Sequence, residues 1–419
     1  MTKRGIPTMK PLEGIKVIEL AEYVAVPGAP RLLADWGATV YKIERPQGDP
    51  SRHLGPSFKM IDFMKEDYNH CVDMMVGGNR QYICLDLKKP EGMEALHKLL
   101  ETADVFATSW RQKALDKLHL DYESLKEKYP GLIYAQVTGY GDRGPEKDNP
   151  GYDTICYAAR GGWFRSLPQE GDAPMNWPNA LGDLPTSVAL AAGICGALVK
   201  KAKTGLGDRV FISLYHTALY FLTVGIVTST YDNHYPSSRK NPPSPLNNTY
   251  PTRDGGWIYL CMPVYDAEFN KCMDLIERPD LIGSPVYSSY NKVLAEGRVT
   301  EVVNLIEEGF MKKDADEWVR IFKEKDTPAG KCFTVDDILS DPQAWENDFL
   351  RKIHYDNGVD GIVTDTPVRF QSMGLPPLEQ SKPIGYHTEE ILSQYGYTQE
   401  QLDEMKRSGA IVVKHHNCE

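Results

Sequence analysis

Asp183 stands in the stretch NALGDLPTSVALAAG, directly before a helical pattern and two residues ahead of Pro185. Two chemistries fit that placement. Aspartate is a favoured N-cap, whose side chain accepts an amide of the first turn and stabilises the helix by about 1 kcal/mol. The same helix start favours negative charge, so the carboxylate would stay ionised and could attack a carbonyl carbon. Gly182 would then allow close approach, and the helix amides would stabilise an oxyanion. Trp163 and Trp177 flank the Pro- and Gly-rich segment ahead of Asp183. They could wall a pocket, or serve as core, given the area each ring buries.

Basic residues fall at several apparent strand ends. Arg45 closes KIER, Arg80 opens NRQYICLDL, Arg111 follows DVFATSW, and Lys117 lies just beyond. In a parallel sheet the carboxyl ends of the strands share one edge, so Arg45 and Arg111 would face an anionic ligand there. Taken singly, each reads more simply as solvated surface charge. The first strand-to-helix loop, AEYVAVPG, holds neither GxGxxG nor GxxxxGK[ST], so the dinucleotide and P-loop fingerprints are missing. GYGDRG (Gly139–Gly144) has the wrong glycine spacing and reads as a tight turn. No GxSxG elbow, CxxC pair or HExxH pattern is present, so no metal site is expected.

The elements that must position these residues alternate. IKVIEL, TVYKIE, YICLDL, DVFATSW, LIYAQVTGYG and RVFISL read as strands. APRLLADWG, PEGMEALHKLLETA, DYESLKEKYPG and LPTSVALAAGICGALVKKAKTG read as helices between them. The alternation predicts an α/β fold, with a mainly parallel, Rossmann-like sheet covered by helices on both faces. Near Thr230 the character changes. YDNHYPSSRKNPPSPLNNTYPTRDGG reads as a long loop or linker, followed by a strand in GGWIYLCM and helical runs around 266–275 and 302–322. The expected division is a large domain over 1–225 carrying Asp183, a linker and smaller α+β domain over 226–340, and a segment over 341–419 that returns to the large domain.

The chain has 419 residues, enough for two or three domains. Hydrophobic residues make up 41% and charged residues 25%, an ordinary globular balance. The net charge of -11 argues against a nucleic-acid platform. Eight cysteines are scattered singly from Cys71 to Cys418, and no disulfide framework is expected. His415 and His416 sit in a polar tail and read as solvated surface. The opening MTKRGIPTMKPLEG lacks an apolar signal core, and no run approaches the roughly 20 apolar residues that span a bilayer. A cytoplasmic protein without membrane contact is expected.

Several ordered stretches carry a resemblance. PLEGIKVIEL, ADWGATVYKIERPQGDPSR and LDLKKPEG open the chain; NPGYDTICYAARGG, LGDLPTSVALAAG and KTGLGDRVFISLYHTALY follow; DPQAWENDFL and PIGYHTEEILSQYGY close it. Each is weak alone, but their order and spacing together are similar to the class III coenzyme A transferases, from about residue 11 to about 405. The ARGG, QAWENDFL and SLYHTALY blocks most resemble the branch acting on 2-hydroxy and 2-enoyl acids in amino-acid fermentation, where phenyllactate and 2-hydroxyisocaproate transferases belong. The resemblance implies an interlocked homodimer of ring-like subunits. It implies coenzyme A and acyl-CoA as substrates, with no permanently bound cofactor and no metal. It makes Asp183 the catalytic carboxylate, and maps coenzyme A contacts onto Tyr23, Val24, Ala25, Arg45, Arg80, Lys117, Leu118, Tyr152 and Asp153. Glu22 and Pro185 depart from the family pattern, as does PPSPLNNTY where one branch carries a glycine-rich lid.

The implied reaction runs through an aspartyl–acyl anhydride and an aspartyl–CoA thioester. A 2-methylacyl-CoA racemase or epimerase of the same fold is the rival reading. It would need His where Tyr152 stands, since tyrosine, with a reference pKa near 10, is a poor general base. A non-catalytic acyl-CoA-binding activator subunit is a second alternative, and a dehydrogenase is disfavoured by the missing glycine motif.

Overall fold

The computed structural model describes residues 9–60 and 70–415. The first eight residues, His416 and Cys418 lie outside them, and so do the readings made there. The described chain divides into two compact units: residues up to Trp163 with Trp177–Phe221 and Gln343 onward, and Phe164–Asn176 with Leu222–Pro342. Phe164–Asn176, inside the span read as the large domain, groups with the second unit.

The first unit is built on six strands: β1 (Lys16–Leu20), β2 (Thr39–Glu44), β3 (Gln81–Cys84), β4 (Val105–Thr108), β5 (Ile133–Thr138) and β6 (Arg209–Ser213). They lie in the order β3-β2-β1-β4-β5-β6, with every neighbouring pair parallel. Side chains alternate between two faces. On one face Ile18, Ile43, Ile83, Phe106 and Tyr134 join a buried apolar cluster with Leu96 and Leu99 of the helix Pro90–Leu100. Ile391, Leu392, Leu402 and Met405, from two C-terminal helices, complete it.

The opposite face carries charge. Glu19 and Lys42 stand opposite each other in register and are buried. Lys42 Nζ donates to Glu19 at 2.9 Å, to Asp49 at 2.7 Å and to the Ala21 carbonyl at 2.7 Å. Arg80 pairs with Glu19 at 2.9 Å, and Arg52 with Glu44 at 2.7 Å. Buried charges survive only when paired in this way.

The helix Asp183–Thr204 packs against β5, β6 and the helix Gly28–Asp35. By length and composition alone it could cross a membrane, which corrects the expectation that no such run exists. Its burial is one-sided: Thr186, Leu190, Ala191, Ile194 and Ala197 are covered, while Leu184, Val188 and Val199 are exposed. Two antiparallel strands, β10 (Leu350–His354) and β11 (Asp360–Thr364), also belong to this unit.

The second unit holds an antiparallel sheet of β7 (Asn247–Pro251), β8 (Trp257–Cys261) and β9 (Ala329–Lys331). Tyr250, Phe310, Trp318 and Phe322 fill its core. β7 lies inside the stretch read as loop. Its NNTYP sequence has Pro and Asn, which are unfavourable in strands, but burial of Tyr250 overrides local propensity.

Candidate active site

Strand order reverses between β1 and β4, the position where an open doubly wound sheet has a crevice at the carboxyl ends of its strands. A cleft of about 1140 Å³ opens there, larger than the roughly 300–1,000 Å³ of ordinary small-molecule pockets. Its walls come from the segments after all six strands, and Asp183 lines it.

The first loop is held from three sides. Lys42 binds the Ala21 carbonyl, the Glu22 amide donates to Ser109 Oγ in the loop after β4 at 3.2 Å, and the Tyr23 amide donates to Asp49 at 3.2 Å. These bonds support Tyr23 at φ 63°, a left-handed conformation that a non-glycine residue rarely adopts. Ser187, one turn into the long helix, donates to the Ala25 carbonyl at 2.9 Å. Gly28 makes the approach possible, because a Cβ there would lie 2.4 Å from Ser187 Oγ. The loop and the first turn of the Asp183 helix are thus one construction.

Asp183 is the first residue inside its helix; Gly182 is the cap, and no side-chain cap bond forms. The capping reading is therefore corrected, and the carboxylate lines the cleft instead. A second correction concerns its charge. Burial, and then the charge of Asp153, push the Asp183 carboxyl up to about 8. Desolvation outweighs the favourable helix start.

Tyr23, Ala25, Arg45, Lys117, Leu118 and Tyr152 line the same cleft. The Tyr23 and Tyr152 rings meet edge to face at 5.5 Å, and burial with the Tyr152 hydrogen bond pushes Tyr23 up to about 12. Arg45 is half exposed and lies 3.4 Å from Glu22. Three expected contacts stand elsewhere. The Arg80 side chain is fully buried, pairs with Glu19 and donates to the Gly77 carbonyl. Val24 is buried in an apolar cluster with Val72 and Met75. Asp153, 6% exposed, binds backbone amides. Arg80 opened an apparent strand, so it sits at the end of β3 away from the cleft; β2, which ends before Arg45, puts that residue at the cleft.

Trp163 and Trp177 do not line the cleft. With Tyr157 they form an aromatic group, ring centroids 5.8–6.2 Å apart, and a Cβ on Gly182 would strike Tyr157 at 2.5 Å. They pack behind the Gly182–Asp183 turn. Sequence reasoning did not single out Lys88, Lys113, Lys147 and Arg209, which also line the cleft. Strand-end position signals Lys88, three residues after LDL begins to leave the sheet. Lys147 and Arg209 reach the cleft only through the fold. Among the described residues no group of His, Cys, Asp and Glu could hold a metal.

A doubly wound sheet with a part-buried carboxylate at its switch point, in a large cleft lined by both Lys/Arg side chains and carboxylates, defines an α/β protein with a site for an extended polar ligand. The comparisons sharpen this class. The sequence pattern of CoA-transferase family III matches residues 12–388. The cinnamoyl-CoA:phenyllactate CoA-transferase of Clostridium sporogenes is 42% identical over 96% of this chain and 97% of its own. The (R)-2-hydroxy-4-methylpentanoate CoA-transferase of Clostridioides difficile is 40% identical over 96% of this chain and 99% of its own. A CAIB/BAIF family protein of known structure from Brucella suis superposes with TM-score 0.75 at 27% identity, over 92% of this chain and 99% of its own. The chain belongs to CoA-transferase family III, and is an enzyme whose substrates are coenzyme A thioesters and carboxylic acids.

Proposed function

We propose that this enzyme moves coenzyme A from a small acyl-CoA, a 2-enoyl or 2-hydroxyacyl thioester, to a 2-hydroxy carboxylic acid, with Asp183 as the residue acylated. The observation that carries the reading is the Asp183 carboxyl itself, uncapped, desolvated and lining the cleft. The names of the two clostridial relatives supply the acid class.

In the proposed sequence the Asp183 carboxylate attacks the thioester carbonyl, the C–S bond breaks, and an aspartyl–acyl anhydride forms with release of CoA thiolate. The thiolate attacks the aspartyl carbonyl and expels the first acid as its carboxylate, leaving an aspartyl–CoA thioester. The acceptor carboxylate then attacks that thioester and releases thiolate, which attacks the new acyl group. Asp183 is regenerated and the new acyl-CoA leaves. One thioester replaces another, so the balance needs neither ATP nor a redox partner. Arg45 and Lys117 would hold the phosphates of coenzyme A, with Tyr23, Ala25, Leu118 and Tyr152 along its path. Arg45 must then exchange Glu22 for phosphate.

Racemisation is the weaker reading, because Tyr152 stands where the rival mechanism needs a histidine and Tyr23 beside it is pushed up to about 12. We also propose that the enzyme is a cytoplasmic, interlocked homodimer. The apolar stripe Leu184, Val188 and Val199 supports a second copy as its cover.

The test is Asp183→Ala in an assay that follows CoA exchange between labelled acid and thioester. Turnover is expected to fall by roughly 10³-fold or more with the fold intact. A variant that transfers at the wild-type rate ends the proposal.

A further inference from the structure

Asp153 is buried, does not line the cleft, and spends both carboxylate oxygens on backbone amides. One oxygen accepts from Thr154 N at 2.6 Å, at the start of the short helical turn Thr154–Ala159. The other accepts from Gly182 N at 3.4 Å, the amide immediately before Asp183. The Ala180 amide bears on the same carboxylate, and Ala180 adopts φ 66°, where an alanine is strained. Gly182 is pressed against Tyr157 from the other side. A turn with a strained residue and a forced glycine needs an anchor, and the Asp153 carboxylate is the polar group that binds it across 29 residues of chain.

We propose that Asp153 is a positioning residue for transfer: its carboxylate ties the Thr154–Ala159 turn to the Gly182 backbone and so fixes the approach of Asp183 to the thioester. This deepens the reading of Asp183 as the acylated residue and rests on it. It replaces the expected contact between Asp153 and coenzyme A with a role behind the site.

Holding a second carboxylate this close has an electrical consequence. The titratable groups around Asp183 are Asp153 and Cys156 on the Thr154–Ala159 side, and Glu22, Tyr23, Arg45 and Tyr152 along the cleft. Among the described residues, Asp153 is the one whose charge raises Asp183. Removing that charge lowers the Asp183 pKa, so the acidic limb of the rate profile moves to lower pH. Merely loosening the fold would not do this.

The experiment compares Asp153→Asn, Asp153→Ala and Asp183→Ala across pH, with thermal unfolding as a control. Asparagine keeps one acceptor oxygen but presents N–H to the second amide. Asp153→Ala is expected to lower kcat by about 10²-fold, the scale of a misplaced nucleophile, with KM for acyl-CoA within about twofold. Asp153→Asn is expected to lose less and to shift the acidic limb downward. A raised KM with unchanged kcat would overturn the proposal in favour of a ligand contact. Unchanged kcat and an unshifted limb in both variants would overturn it outright. So would failure of the isosteric Asp153→Asn protein to fold, since the carboxylate would then be a determinant of the whole fold. Activity surviving in Asp183→Ala would instead remove the underlying reading.

Discussion

At the scale of the residue, the chemistry turns on a part-buried carboxylate whose desolvation holds its pKa high. A carboxyl at about 8 is mostly protonated at neutral pH, and only its ionised form attacks. The kcat/KM for acyl-CoA is therefore expected to rise with pH through about 8 and then level, as a pH–rate profile would show. Stability must run the other way. The folded-state pKa is raised from 3.8, so the contribution is fully present below about pH 4 and is lost as pH rises through about 8. Asp183→Asn is expected to melt at least about 2 °C above wild type at pH 9 and level with it at pH 4; equal melting at both would show the carboxyl is not desolvated. Arg80 carries a different expectation. Breaking its buried pair with Glu19, as in Arg80→Met, should cost about 3–5 kcal/mol in denaturant titrations and leave KM for acyl-CoA unchanged in the folded protein. The helix start at Asp183 was legible as local pattern, whereas the choice of Asp183 as nucleophile came from the resemblance. Arg80 was misread because a charge at a strand boundary looks alike at either end of the strand, and only the sheet shows which end faces the cleft.

At the scale of the element, the site depends on two helices that touch. The Gly28–Asp35 helix meets the Asp183–Thr204 helix where a Cβ on Gly28 would overlap Ser187. Gly28→Ala should force the helices apart, costing about 1–3 kcal/mol and lowering kcat more than tenfold as the first turn shifts. Retained stability and kcat would show that the contact relaxes freely. The strands β1 to β6 and the long helix were readable from runs of apolar residues punctuated by Gly and Pro. The closeness of Gly28 to Ser187, 159 residues apart, was not, since glycine there looks like loop chemistry. β7 was hidden for the opposite reason, because NNTYP carries loop composition while its tyrosine is core.

At the scale of the whole molecule, the helix that presents Asp183 leaves Leu184, Val188 and Val199 exposed on one stripe. The proposed homodimer predicts twice the chain mass in sedimentation at micromolar concentration. Val188→Asp with Val199→Asp should yield monomer with lost transfer, and an active wild-type monomer would contradict the assembly. Composition and alternation gave the α/β class, and the return of the C-terminal segment to the large domain was expected without any pattern that showed which face it would cover. Its cause is the apolar face of β1 to β5, which Leu392, Leu402 and Met405 help to cover. Local pattern could not reveal that pairing, because either partner alone is an ordinary amphipathic element.

The most direct measurement is chemical capture. The enzyme is incubated with acyl-CoA, quenched with hydroxylamine, digested and read by mass spectrometry. The account predicts a hydroxamate on Asp183, absent without acyl-CoA. An unmodified Asp183 peptide from enzyme that is turning over under the same conditions would contradict it.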